Sequence, residues 1–222
     1  GGATFAAFPE WYATLFSGFY LPLLLILVGL IIRGVAFEYR SKRSSATWRR
    51  RWDLCIVIGS FIPALLWGVA FANIVRGVPM RPGDFGNSLY DGAFFNLLNP
   101  YALVGGLATL ALFVSHGAMF LALKTDGDLR VRANKVAGQV GLIATVIAVI
   151  FLLLTQLAYS DKVWTWALVV VAAVCWLAGL AMNRAGREGW AFIFSAITLA
   201  GAVAYLFSVL YPNVMPASND PA

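Results

Sequence analysis

The chain has 222 residues, 61% of them hydrophobic and only 12% charged, with a formal net charge of +6 and a mean hydropathy of +0.80. Soluble domains carry about a quarter of their residues as charged groups, so the composition excludes an ordinary soluble domain and defines an integral membrane protein. Nor does the basic excess point to nucleic acid, because the cations are split among short segments between apolar runs.

Those runs reach the roughly 20 residues a helix needs to cross a hydrocarbon core about 30 Å thick, and they are too long for strands. The expected fold is therefore all-α, a polytopic transmembrane bundle with six spanning helices in one domain over 1–222. The first helix, about 11–35, contains Pro22, and the second, about 53–75, contains Pro63. Both prolines are expected to bend their helices, which membrane bundles tolerate. Between the second and third helices lies the longest connection, 76–99, whose Gly, Pro, Asp and Asn supply turns and whose "FFNLL" is expected to return to the membrane interface. The third helix, about 100–123, opens with Asn99-Pro100, an N-cap followed by proline at the first helical position. The remaining three are expected at about 134–159, 163–182 and 190–211.

Orientation follows from the connections. All Lys and Arg except Arg76, Arg81 and Lys162 fall at one side of this pattern. The positive-inside rule then places loops 36–52, 124–133 and 183–189 in the cytoplasm, and loop 76–99 with both chain ends outside. Trp11, Tyr12, Tyr159, Trp164 and Tyr211 form one expected aromatic belt, and Trp48, Trp52 and Trp190 the other. There is no initiator methionine, leader or cleavage site, so the chain is expected to be a fragment of a longer subunit.

Chemistry-bearing patterns are sparse. There is no P-loop, Rossmann glycine pattern, paired-cysteine motif or Glu-x-x-His pair, and no catalytic, cofactor-binding or metal-binding residue is assigned. Cys55 and Cys175 read as small buried apolar residues that form no disulfide. The candidates are ionisable groups near helix ends. Arg33, 22 residues beyond Trp11, is expected about 33 Å along the first helix, at the inner interface. Glu38 follows among Arg33, Arg40, Lys42 and Arg43, which keep an acid ionised. One reading makes Glu38, with Arg33 and Lys42, a cytoplasmic proton entry; the other makes the trio a topological device, with Arg33 snorkelling to the headgroups. His116, the only histidine, lies eight residues before Lys124, about 12 Å inside the inner end. It is either a titrating group or a neutral, hydrogen-bonded packing residue. Asn73, Asn96, Asn99, Gln139 and Gln156 are expected to cap or cross-link helices, and Trp67 and Trp176 to pack within the bundle or against a partner, lipid or quinone. A proton-coupled transporter would also use six helices and an inner acid, but it predicts an inverted repeat and broken helices at mid-membrane, and no such repeat is visible.

Several long segments of mixed polarity carry a resemblance. "FSGFYLPLLLILVGLIIRGVAFEYRSK", "WDLCIVIGSFIPALLWGVAFANIVRGVPM", "NLLNPYALVGGLA", "GWAFIFSAITLA" and "YPNVMPAS", in this order, resemble subunit II of the cytochrome bd quinol oxidase family. The resemblance implies about nine helices, of which the present six would be the third to eighth, with the first two and the last outside the chain. It implies an accessory, non-haem subunit of a bacterial plasma-membrane complex that oxidises quinol and reduces dioxygen to water with cytoplasmic protons. Haem b and haem d would then belong to a partner, subunit I, with which this chain forms a heterodimer. Membrane lipid, quinone and a small accessory subunit are further candidate partners. The spacing of Arg33, Glu38 and Lys42 matches the family's pattern in that segment.

Overall fold

The computed structural model describes residues 2–82 and 88–219. Six helices in it are long and apolar enough to cross a membrane, and their contacts make each antiparallel to the next. Two short helices, α1 (Gly2–Ala7) and α2 (Pro9–Gly18), precede them. The spanning helices are α3 (Tyr20–Tyr39), α4 (Ala46–Arg76), α5 (Pro100–Lys124), α6 (Gly127–Tyr159), α7 (Thr165–Arg184) and α8 (Glu188–Leu210). The turns α3–α4, α5–α6 and α7–α8 lie at one end, here called the basic end.

The continuous first helix expected over 11–35 is divided at Phe19, which caps both α2 and α3. Pro22 supplies the reason: it has no N–H for the Gly18 carbonyl and its ring crowds that carbonyl, so the helix is interrupted one turn upstream. Arg33 consequently stands 13 residues into the spanning helix, about 20 Å from its start instead of 33 Å. Pro63 does not break α4, whose 31 residues run without interruption.

Two helices begin earlier than hydropathy suggests. α4 starts at Ala46 under an N-cap from Ser45, whose hydroxyl accepts the Trp48 N–H, and it takes in Arg49, Arg50, Arg51 and Trp52. α6 starts at Gly127 and includes Arg130 and Asn134. Arg, Lys and Asn are compatible with helix; they mark where apolar sequence stops, which is not where helix stops. The Asn99-Pro100 start of α5 is as expected, with Asn99 Oδ1 accepting the Ala102 N–H at 3.0 Å.

The long connection contains two short strands that its turn-forming residues do not announce. β1 (Met80–Pro82) and β2 (Ser88–Tyr90) pair antiparallel, Met80 opposite Tyr90. The turn residues 83–87 lie outside the described residues. A 3₁₀ turn, Phe94–Leu97, follows, with Leu97 buried and Phe95 exposed. The segment after α8 adds to this cap, where Val78 and Ala217 form a bridge and Asn219 exchanges hydrogen bonds with the Met80 backbone.

Helices approach closely through small residues, as membrane bundles require in the absence of a hydrophobic drive between them. α3 meets α4 where a Cβ on Gly29 would come within 3.3 Å of Pro63 Cδ, and one on Gly59 within 3.0 Å of Arg33 Cβ. α4 meets α5 where a Cβ on Gly106 would lie 2.8 Å from Val69 Cγ2 and 2.9 Å from the Leu65 carbonyl oxygen. Buried apolar clusters fill both halves, one around Phe19, Ile74, Leu97 and Tyr205, the other around Met119, Trp176, Leu180 and Ala191.

Candidate functional site at the basic end of the bundle

The sequence candidates gather where α3 turns into α4. Glu38 Oε1 receives Lys42 Nζ at 2.8 Å, one helical turn apart on an exposed face, and the Glu38 hydrogen bond holds the Lys42 ammonium above its ordinary range. Arg40 pairs with Asp53 across the turn through a close ion pair, which likewise raises the Arg40 guanidinium above its ordinary range. Arg33 is not part of this cluster. Its guanidinium lies 5.7 Å from the centre of the Phe37 ring, and no carboxylate is within ion-pair distance of it among the described residues. The structure thus brings Glu38 and Lys42 together and places Arg33 on a separate aromatic face.

Aromatic side chains fix this corner. Tyr39 stacks on Trp52 at 5.7 Å, Trp48 meets Trp52 edge-on at 5.7 Å, and the Trp48 indole N–H donates to the Tyr39 carbonyl at 2.9 Å. Arg43 lies 4.7 Å over the Trp48 ring.

A second ionic group at the same end was not singled out in the sequence. Glu188, the first residue of α8, is buried, and its Oε1 accepts Arg130 Nε and Nη2, each at 2.8 Å, and Asn134 Nδ2 at 3.0 Å. Asn183 on α7 donates to the Asn134 carbonyl at 3.0 Å, so α6, α7 and α8 are tied by one polar cluster. An acid at a helix N-terminus also meets the positive end of the dipole. The signal in the sequence was the isolated acid immediately before an apolar run, opposite a helix start rich in Arg and Asn.

His116 lies deeper, on α5. Its Nδ1 is 2.8 Å from Ser195 Oγ, and its ring stacks on Phe192 at 4.7 Å. Ser195 gives its own proton to the Phe192 carbonyl at 2.8 Å, which leaves its lone pair to accept from Nδ1–H. The imidazole is thus oriented between α5 and α8.

Mid-bundle, a cavity of about 470 Å³ opens between Trp67, Phe71, Phe113, Thr145, Trp176 and Leu206. Trp176 is buried and donates to Thr145 Oγ1 at 2.9 Å, whereas Trp67 is 41% exposed and stacks on Phe71. Towards the other end, Gln156 Oε1 accepts from Thr165 at 2.9 Å and from Tyr205 at 3.1 Å. Asn73 donates to the Val69 and Leu97 carbonyls, and its Oδ1 accepts from Asn99. These three amides cross-link elements as expected. Asn96 takes part through its backbone, its carbonyl accepting from Asn99 at 3.2 Å and its N–H donating to the Ala93 carbonyl at 3.0 Å. Cys55 and Cys175 are free thiols.

His116 and Met119 are three apart on one helix, so they cannot approach an iron from opposite faces, and Met119 is fully buried in helix packing.

Six long apolar helices, with charge concentrated towards their ends and in the connections, define a polytopic helical membrane protein. The profile described as cytochrome bd terminal oxidase subunit II matches residues 1–220, and the chain belongs to that family. Among similar proteins, a "Probable cytochrome oxidase subunit 2" of Haemophilus influenzae is 38% identical over 254 aligned residues, covering 100% of this chain and 67% of the relative. The "Cytochrome bd-I ubiquinol oxidase subunit 2" of Escherichia coli strain K12 is 34% identical, covering 99% and 66%. The "Cytochrome bd ubiquinol oxidase subunit 2" of Bacillus subtilis is 35% identical, covering 98% and 64%. The chain therefore spans about two thirds of the length of these relatives. These matches give no support to the transporter reading.

Proposed function

We propose that the chain is the core of the non-haem subunit of a bacterial terminal oxidase that takes electrons from a membrane quinol and reduces dioxygen to water. The observation that carries this reading is the family match over residues 1–220, reinforced by relatives whose names specify ubiquinol oxidase subunit 2. A larger partner, subunit I, carries haem b and haem d and the quinol-oxidising site. In support, this chain's single imidazole is committed to Ser195 and Phe192. The chain's part is to pack beside subunit I and help define its access routes. Quinone and lipid are partners on its apolar faces, and a small accessory subunit completes the assembly.

The basic end faces the cytoplasm, and loop 76–99 and both chain ends face outward. This orientation rests on the Lys and Arg count. Within it, Glu38 is the candidate point of proton entry. Lys42 holds its charge, and Arg33 anchors α3 at the interface through Phe37. His116 is a packing and orienting residue between α5 and α8.

The first test is purification of the parent protein from its native membrane and a reduced-minus-oxidised visible spectrum. Haem b and haem d bands with a larger co-purifying subunit are the expected result. A colourless protein that purifies alone would overturn the oxidase reading.

A further inference from the structure

The corner between α3 and α4 holds more positive charge than its carboxylates neutralise. Between residues 40 and 51 stand Arg40, Lys42, Arg43, Arg49, Arg50 and Arg51. Asp53 and Glu38 are the acids there, and each is already paired, with Arg40 and Lys42 respectively. Arg43, Arg49, Arg50 and Arg51 have no carboxylate within ion-pair distance among the described residues. All four are exposed.

Position decides what such a surplus meets. These arginines lie in the loop and the first two turns of α4, immediately before the apolar run that begins at Leu54. The Tyr39, Trp48 and Trp52 cluster stands at the same level, and amphipathic rings of this kind settle among lipid headgroups. The Trp48 indole is bonded to the Tyr39 carbonyl at 2.9 Å, and Arg43 is stacked on its ring at 4.7 Å. One guanidinium is thereby held at headgroup depth with its N–H edge free. A guanidinium presents a planar fork that binds phosphate oxygens in pairs, and the positive end of the α4 dipole adds to the attraction.

We infer that the Arg43, Arg49, Arg50, Arg51 and Trp48 corner is a binding site for the phosphate headgroup of an anionic phospholipid. The occupant is a lipid and not a soluble anion, because the aromatic platform and the adjacent apolar surface of α3 receive acyl chains beside the charge. Leu27, Ile31, Val35 and Phe37 on α3 are exposed within reach of the same leaflet. The inference requires only that the chain spans a membrane and is independent of the oxidase reading.

The test uses the parent protein, with whatever subunits accompany it, in mild detergent. Native mass spectrometry follows titration with phosphatidylglycerol, with phosphatidylcholine, and with phosphatidylglycerol in the presence of millimolar inorganic phosphate. Tight retention of phosphatidylglycerol over phosphatidylcholine is expected, undisturbed by inorganic phosphate. The pair R49Q/R50Q is expected to weaken it roughly 30-fold, from the contribution of each basic residue near an anionic surface. A second variant, R43K/R49K/R50K/R51K, keeps the charge that sets topology and removes the forks; a loss of several-fold is expected. Equal retention of the two lipids, or unchanged phosphatidylglycerol affinity in both variants, would overturn the inference. So would complete displacement by phosphate, which would mark a free-anion site, or phosphatidylglycerol binding that appears only after an acidic co-purifying subunit is stripped away.

Discussion

Removing Arg130 should cost more than neutralising its partner Glu188. Glu188 accepts three N–H bonds on one oxygen, at 2.8, 2.8 and 3.0 Å, and its side chain is 9% exposed against 43% for Arg130. Arg130→Ala leaves a buried carboxylate with neutral donors alone, Asn134 and its own backbone N–H. Breaking a buried pair in this way costs about 3–5 kcal/mol, and the partial exposure of Arg130 reduces the expectation to about 2–4 kcal/mol. Glu188→Gln keeps an acceptor for Asn134 and frees an arginine that can turn to water, so the expected loss is about 1 kcal/mol. The double variant R130A/E188Q should be more stable than Arg130→Ala alone. The assay is denaturation of the purified protein with its partners by a graded denaturing detergent, followed by far-ultraviolet circular dichroism, with the four proteins forming a mutant cycle. An equal or greater loss in Glu188→Gln, or strict additivity in the double variant, would refute the argument that burial of the carboxylate dominates.

Two further outcomes test other parts of the molecule. Gly106→Ala should destabilise by about 1–3 kcal/mol, since the new Cβ meets the Leu65 carbonyl oxygen at 2.9 Å and backbone has to move. Gly117→Ala on the same helix, where a Cβ meets nothing within 4 Å, should be neutral or slightly stabilising. In the assembled complex, Glu38→Gln and Glu38→Ala should lower oxygen consumption by roughly tenfold with haem content intact. That is less than the roughly hundredfold to ten-thousandfold of a group transferring protons at the reacting atoms, because water substitutes in part at an exposed site. Unchanged turnover with intact haems would leave the Glu38 and Lys42 pair as a topological device only.

Much of the architecture was legible because hydropathy over 20 residues reports a single physical requirement, apolar length. It placed all six spans, and the Asn-Pro pair placed the Asn99 cap. Hydropathy could not place helix starts at Ala46 and Gly127, since a helix continues through Arg and Asn after the membrane ends. The division at Phe19 was written in Pro22, but whether a proline bends or interrupts a helix depends on whether neighbours re-satisfy the freed carbonyl, as the unbroken helix around Pro63 illustrates. Of the candidate site, the i, i+4 pair Glu38 and Lys42 was readable from spacing. The Glu188 cluster was not, because Arg130, Asn134 and Asn183 come together only when three helices pack. The distance of Arg33 from the start of its helix was overestimated for the same reason, since α3 begins only at Tyr20.

The helix lengths described above also make the bundle a gauge of bilayer thickness. α3 and α7 have 20 residues each, about 30 Å, whereas α4 and α6 have 31 and 33, about 46 and 50 Å. A long helix alone would answer a thicker or thinner membrane by tilting. α4 is denied that freedom, because α3 is locked against it at Gly29, Gly59 and Pro63 and is only just long enough to cross upright. The excess of α4 and α6 must therefore stand out of the hydrocarbon as fixed projections. Hydrophobic mismatch then falls on the short helices, whose polar ends would be drawn inward in a thicker bilayer, and the protein should be most stable in membranes close to 30 Å across.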